Sequence, residues 1–242
     1  MPAGTLFLIG SPIGNLGDLT FRAVEILKKV ALVAAEDTRR SSVLLRHYEI
    51  SQSLISFHQH NEARRTGELI EKLYAGLSVA LLTDAGMPSI SDPGYRLVRA
   101  SIENRIRVEV IPGPSALLTA LVGSGLPTDR FYFGGFLPSK SGQRQKELDA
   151  ALSRQFTSIY FESPHRILRS LEIINSMAPD RIICLARELT KHFEEYQRGT
   201  ASTVLAHYQT RPPKGEITLV IGGSKTQDLH GPASGDDDSG AE

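Results

Sequence analysis

One cysteine, no tryptophan and three methionines stand in 242 residues. The single thiol, Cys184, excludes a disulfide within the chain and a thiolate metal cluster, and it suits a reducing compartment. Set in Ile182-Ile183-Cys184-Leu185, it reads as a small core residue. No apolar run reaches the ~18 residues of a spanning helix, so no membrane residence is expected. No basic segment precedes the apolar stretch at 1–9, so no secretory signal is expected and the chain reads as cytoplasmic. Net charge is also missing, with 27 Lys and Arg against 27 Asp and Glu. The balance is uneven, because from Lys225 onward the chain carries one base and five acids. The remainder holds 26 bases and 22 acids, about +4. That charge suits a protein that grips RNA locally and not one that coats it.

What is present is ordinary globular composition, 40% hydrophobic and 22% charged, which disfavours disorder for the bulk of the chain. In the first half, short β-rich runs alternate with helical patterns. Strands are expected at 6–9, 31–35, 78–82 and 108–111, and helices at 21–30, 38–47, 62–74 and 93–104. Continuous apolar strands between helices imply a parallel sheet covered on both faces, with ligands beyond the carboxyl ends of the strands. Gly, Ser, Pro and Thr cluster near 123–129 and mark a boundary. Beyond it, strands are expected at 131–133, 157–161, 181–186, 193–198 and 216–221, with helices at 143–154, 165–177 and 202–208. Hairpin-like neighbours there suggest a mixed sheet. The organisation read from this is an α/β domain at 1–123, a linker at 124–130, a second α/β domain at 131–223, and a disordered acidic tail at 224–242.

Three loops follow strands of the first half. Gly10-Ser11-Pro12-Ile13-Gly14-Asn15-Leu16-Gly17-Asp18 is glycine-rich but lacks the G-x-G-x-x-G spacing and the Lys-Ser/Thr of phosphate loops. It is either a tight helix entry or a backbone-lined pocket for a ligand without phosphates. Thr83-Asp84-Ala85-Gly86-Met87-Pro88-Ser89-Ile90-Ser91-Asp92-Pro93-Gly94 is dense in turn formers yet keeps two carboxylates. Asp92 before Pro93 reads as a helix N-cap. Asp84 has no comparable structural duty and is a candidate for ligand contact. Pro112-Gly113-Pro114-Ser115-Ala116 is a fixed turn ahead of a helix, either a plain cap or a polar-ligand site.

Together with Ala35-Glu36-Asp37-Thr38-Arg39, Glu162-Ser163-Pro164-His165-Arg166, Ala186-Arg187-Glu188-Leu189-Thr190-Lys191 and Lys214-Gly215-Glu216-Ile217-Thr218, these loops resemble the ribosomal RNA small-subunit methyltransferase I family, a branch of the tetrapyrrole methylase superfamily. The resemblance runs from about Gly4 to Ile221. Met87 stands where a smaller residue is expected, and the acidic tail lies outside the pattern. The resemblance implies a two-domain, tetrapyrrole-methylase-like (class III) α/β methyltransferase, with a parallel-sheet N-terminal domain and a mixed-sheet C-terminal one. It implies S-adenosyl-L-methionine in the cleft between them, a homodimer, and 2′-O-ribose methylation of a cytidine in the decoding region of 16S ribosomal RNA. It carries cofactor contacts onto Pro12, Ile13, Asp84, Met87, Ser115 and Ala116, with Ser163, Arg187 and Gly215 closing over the adenine.

A ribose hydroxyl is a poor nucleophile, so a nearby base contributes about 10²–10⁴-fold. Asp37 is the leading candidate, since it follows an apolar strand at the edge where substrate should lie; a cap for the helix starting at Thr38 is the competing role. His58 and Glu62, in a polar cluster with His60 and Asn61, are the next candidates. His58-x-His60 has no third ligand in view, so no metal is expected. Basic residues gather at Arg39-Arg40 and at Lys140, Arg144 and Lys146, and are read as phosphate contacts or as solvated faces. His165 and Arg166 are placed to stack on a base or bind a phosphate. Two alternatives remain, methylation of a tetrapyrrole ring carbon and a non-enzymatic RNA-binding module.

Overall fold

The computed structural model describes residues 2–226. They form two compact units, one of residues 2–119 with Glu188–Glu194, the other of Ala120–Arg187 with residues 195–226. Of the expected tail, Ser224 is tied by its N–H to the Arg154 carbonyl at 2.8 Å, and residues 227–242 lie outside the described part.

In the first unit, β1 (Thr5–Ile9), β2 (Leu32–Ala35), β3 (Leu54–Ser56), β4 (Val79–Leu82) and β5 (Arg107–Ile111) form a parallel sheet in the order β3-β2-β4-β1-β5. Helices α1 (Phe21–Lys29), α2 (Thr38–His47), α3 (Glu62–Tyr74) and α4 (Tyr95–Glu103) cover it. The strands read as unbroken apolar runs because alternate residues feed two cores. Ile9, Val33, Ala80 and Leu82 pack with Leu27 of α1 and Leu44 of α2. Leu8, Ala34, Val79 and Leu81 pack with Leu69 of α3 and Leu97 of α4. Burial of a Leu or Ile side chain contributes about 1.5–3 kcal/mol, so the two layers together hold the sheet. The neighbours β1 and β4 send the chain to opposite faces, toward α1 and α4 respectively. Doubly wound sheets take ligands beyond the carboxyl ends of strands at such a divergence.

Strand β3 was absent from the sequence reading, because three residues carry no usable periodicity. It pairs with β2 through Val33–Leu54 to Ala35–Ser56. Helix α4 begins two residues later than expected, since Gly94 at φ +141° lies outside helical space. Helix α5 (Ala116–Ser124) follows the third loop, and the boundary between the units falls inside it.

In the second unit, β6 (Phe131–Phe136), β7 (Thr157–Glu162), β8 (Ile182–Arg187), β9 (Glu195–Thr200) and β10 (Ile217–Ile221) form a mixed sheet in the order β6-β7-β10-β8-β9. Helices α6 (Ser141–Ser153), α7 (Ile167–Met177) and α8 (Ala201–Thr210) pack on one face through Leu148, Leu171 and Val204 against Tyr160, Leu185 and Leu219. Cys184 is a buried free thiol on β8, and burial pushes its pKa up to about 12. The β9 strand starts later than expected because Glu188–Glu194 winds through turns, with Glu188 and Thr190 at positive φ.

Candidate active site

The three loops of the first unit are joined backbone to backbone. Ser11 and Gly86 exchange two hydrogen bonds, N–H to carbonyl at 2.9 and 3.0 Å, and form an isolated antiparallel bridge. The Ser11 hydroxyl donates to the Thr83 carbonyl at 2.9 Å, so the first loop is held against the end of β4. Gly113 lies against Gly10 so closely that a Cβ on Gly113 would stand 2.6 Å from the Gly10 carbonyl oxygen. Only hydrogen fits there, and the first and third loops meet through their main chains. Pro12 and Ile13 are thereby buried, while Met87, Ser115 and Ala116 stay half-buried at the rim. The non-glycine residues Ser89 and Ser91 hold positive φ, strain of the kind that persists where the surroundings over-determine a loop.

Asp84 is more constrained than expected. Its Oδ1 accepts the Asp37 N–H at 3.1 Å, and its Oδ2 pairs with Arg40 Nη1 at 3.1 Å. The Asp84 N–H in turn donates to Glu36 Oε2 at 3.2 Å, a contact across 48 residues of chain. The second loop and the turn from β2 into α2 are therefore one hydrogen-bonded block. Asp84 keeps spare lone pairs and a side chain 26% exposed, so it can accept further donors. Nearby, burial together with the charges of Glu36 and Asp84 raises the Asp92 carboxyl to about 7. Asp92 is not the cap it was read to be: the N-cap of α4 is Gly94.

That cap comes from Glu62. Its Oε1 accepts the N–H of Gly94 at 3.0 Å and of Arg96 at 3.3 Å, from a position on the first turn of α3. The first turn of a helix leaves N–H groups without intrahelical partners and favours negative charge, so the carboxylate is stabilising there. His58 is also engaged. Its N–H donates to Asn61 Oδ1 at 2.9 Å, and its ring Nε2 lies 3.1 Å from Asn61 Nδ2. The amide Nδ2 can only donate, so the ring nitrogen facing it accepts and its lone pair is already used. Among the described residues no three His, Cys, Asp or Glu side chains are placed to share a metal ion.

Asp37 takes the capping role weighed for it. It is the N-cap of α2, with its side chain accepting the Arg39 N–H at 2.9 Å. The same carboxylate takes the Arg39 guanidinium at two points, Oδ1 to Nε at 3.0 Å and Oδ2 to Nη2 at 2.7 Å. The hydrogen bonds from Arg39 hold the carboxyl well below the usual range.

In the second unit, β10 runs antiparallel to β7 and β8, with Ile217 opposite both Glu162 and Arg187. Ser163, Arg187 and Gly215 therefore lie at the same end of the adjoining strands β7, β8 and β10. Arg187 pairs with Glu195 there and reaches the Lys214 carbonyl at 3.4 Å. The basic residues separate sharply. Lys140 and Lys146 are exposed on and before α6, and His165 is exposed. Arg144 is not an available phosphate contact: it is 3% exposed, and its Nη1 donates to the Pro138 and Ser139 carbonyls at 3.4 and 3.3 Å. Arg166 is committed as well, to the fully buried Glu162 at 2.8 Å. Glu162 also accepts from the Ser163 N–H at 2.7 Å and the Ser170 hydroxyl at 2.9 Å.

Carboxylates and main-chain groups thus gather at the carboxyl ends of the parallel strands, where they can hold a polar ligand. Comparison with known proteins places the chain among methyltransferases. Residues 5–205 match the model of the tetrapyrrole (corrin/porphyrin) methylases. A ribosomal RNA small subunit methyltransferase I of Synechocystis sp. is 49% identical, over 93% of this chain and 81% of the relative. One from Mesorhizobium japonicum is 48% identical over 90% of this chain and 74% of its own, and one from Streptococcus pyogenes serotype M1 is 47% identical over 92% and 78%.

The chain belongs to the ribosomal RNA small subunit methyltransferase I family.

Solved structures share the fold of this family member. A uroporphyrin-III C-methyltransferase from Thermus thermophilus superimposes with a TM-score of 0.63 at 21% identity, covering 90% of this chain and 94% of its own. A diphthine synthase gives 0.70 at 13% identity, covering 90% of each chain. At such identities the likeness is one of fold. The family member is a methyltransferase of two α/β units, one with a parallel and one with a mixed sheet. None of its described helices is long and apolar enough to cross a membrane.

Proposed function

We propose that the protein transfers a methyl group from S-adenosyl-L-methionine to the 2′-hydroxyl of a cytidine in the decoding region of small-subunit ribosomal RNA. The observation that carries this reading is identity of 49% over 93% of the chain to a relative of that name. The block built from Glu36, Asp37 and Asp84 at the carboxyl edge of the parallel sheet supports it. The cofactor supplies a methyl group on a sulfonium, already a strong leaving group. The protein's part is then to bind, orient and accept a proton. Orientation is worth up to about 7–11 kcal/mol of barrier in well-placed cases.

Asp84 offers its spare acceptor capacity to the cationic part of the cofactor. Pro12, Ile13, Met87, Ser115 and Ala116 supply walls and main-chain groups, and Ser163, Arg187 and Gly215 contact the adenine. Asp37 accepts the ribose proton; His58 and Glu62 serve that role less well, because each is spent on a structural bond. Arg39, Arg40, Lys140, Lys146 and His165 bind RNA. A homodimer in the cytoplasm completes the reading.

The test is transfer of labelled methyl to small ribosomal subunits that lack the modification, compared with a tetrapyrrole precursor, followed by mapping of 2′-O-methyl sites. Label on the subunit at one ribose supports the reading. Label on the tetrapyrrole alone overturns it.

A further inference from the structure

Asp37 presents a conflict. As a proton acceptor it should be basic, yet both of its oxygens are bound to a guanidinium and its pKa is depressed. The geometry of Arg39 resolves it. We propose that Arg39 covers the Asp37 carboxylate in the free protein and leaves it for an RNA phosphate, so that the proton acceptor is uncovered only when substrate is seated. This rests on the reading of Asp37 as acceptor given above.

Three observations carry the inference. The Arg39 side chain is 89% exposed while that of Asp37 is 24% exposed, so the cation sits outermost and meets an incoming polyanion first. Exposed ion pairs of this kind contribute little to stability, and a phosphate accepts the same two-pronged donor as a carboxylate. Exchange therefore costs little. The carboxylate is also held without the guanidinium. The Asp37 N–H donates to Asp84 Oδ1 at 3.1 Å, and its side chain caps α2 through the Arg39 main-chain N–H at 2.9 Å.

Arg40 does not replace Arg39 at Asp37, because it is paired with Asp84 at 3.1 Å. The charged groups around Asp37 are thus Arg39, Arg40, Asp84 and Glu36, and Arg39 alone among them bonds its carboxylate. Once Arg39 leaves, the carboxyl returns toward the ordinary aspartate range and Oδ2 is open. The ribose 2′-oxygen gives its proton to Oδ2 as its lone pair forms the new bond to the methyl carbon. The carbon–sulfur bond breaks with its electron pair going to sulfur, leaving a neutral thioether. The arrangement also keeps a basic carboxylate from facing the methyl donor when no RNA is bound.

The experiment uses the full chain, wild type and Arg39→Ala, with a single-stranded oligoribonucleotide of the target sequence and with small subunits. Carboxyl-carbon NMR follows the Asp37 titration, and fluorescence anisotropy follows oligonucleotide binding. In the free wild type Asp37 titrates well below the usual range, and saturating oligonucleotide moves it toward about 4. In Arg39→Ala it titrates higher than in the free wild type and no longer responds to RNA, the main-chain N–H bond of the cap still holding it down, and binding weakens by about three- to tenfold, the size of one lost phosphate contact. On subunits the loss falls on KM. Binding that is absent or indifferent to Arg39→Ala overturns the proposal, as does an Asp37 titration unmoved by bound oligonucleotide, or a loss confined to kcat. Asp37→Asn separates the two layers. If it turns over normally while the titration shift stands, the acceptor role fails and only the exchange of Arg39 between carboxylate and phosphate survives.

Discussion

Glu62 caps a helix that is not its own. Its carboxylate oxygen lies 3.0 Å from the Gly94 N–H, joining the first turn of α3 to the first turn of α4 across 32 residues of chain. The contact fixes the end of the strained loop that contains Ser89, Ser91 and Asp92.

Replacing Glu62 with Ala removes two acceptor contacts and a favourable charge at a helix start, and should destabilise the protein by about 1–2 kcal/mol. Glu62→Gln keeps the oxygen and should lose roughly half of that. Single-turnover methyl transfer should be nearly normal in Glu62→Gln. Thermal unfolding together with that rate checks the assignment; a Gln variant of normal stability and abolished turnover would return Glu62 to the role of base.

Asp92 predicts a dependence on pH. Its folded pKa of about 7 lies above the ordinary aspartate value of 3.8, so between those values the folded state holds a proton that the unfolded state has released. Stability is full below the unfolded pKa and falls as pH rises toward 7, with no further loss above. The shift corresponds to about 4 kcal/mol at face value and about 1–2 kcal/mol once partial exposure is allowed for. Asp92→Asn removes this loss. Urea unfolding at pH 4.5 and 8 should find the variant gaining on the wild type as pH rises. Parallel pH profiles would refute the account.

The basic helix tests burial against charge. Lys140→Ala with Lys146→Ala should weaken small-subunit binding and lower its salt slope by about two, leaving stability within about 0.5 kcal/mol. Arg144→Ala should do the reverse. It removes the donor to the Pro138 and Ser139 carbonyls and opens a buried space, costing about 2–4 kcal/mol with little change in salt slope. Binding titrations at two salt concentrations, beside thermal unfolding, distinguish the pairs.

These contrasts mark what could be read from the chain. The apolar runs of β1, β2 and β4 and the caps around Thr38 are local patterns, so the parallel sheet and the placement of the loops were legible. So was the mixed second sheet. Arg144 was misread because charge density along a helix does not say which face is buried; its neighbours Lys140 and Lys146 look alike in sequence and differ only in direction. The roles of Glu36 and Glu62 depend on partners that only folding brings near, Asp84 for Glu36 at 48 residues' distance and Gly94 for Glu62 at 32. Asp92 looked like a cap because Asp-Pro usually is one, and the positive φ of Gly94 displaced that role.

Asp84 carries the most consequences. Its carboxylate binds the Asp37 N–H and Arg40, and the cofactor reading asks it for a further contact. Asp84→Asn retains an acceptor for the Asp37 N–H but loses the charge. It should leave the fold nearly intact while weakening cofactor affinity by roughly ten- to a hundredfold, the cost of about 1.5–3 kcal/mol for a charge-assisted bond. Asp84→Ala should do the same and also free the start of α2, adding about 1 kcal/mol of destabilisation. Arg40→Ala discriminates the remaining possibility. If Asp84 serves only to hold Arg40, then Arg40→Ala and Asp84→Asn should reduce RNA binding alike and both leave cofactor affinity unchanged. If Asp84 meets the cofactor, Arg40→Ala should leave that affinity within about twofold, because removing the cation frees the second carboxylate oxygen without removing the charge. Calorimetry with S-adenosyl-L-methionine on the three variants decides between these outcomes, and an Asp84→Asn affinity equal to that of the wild type would end the cofactor assignment.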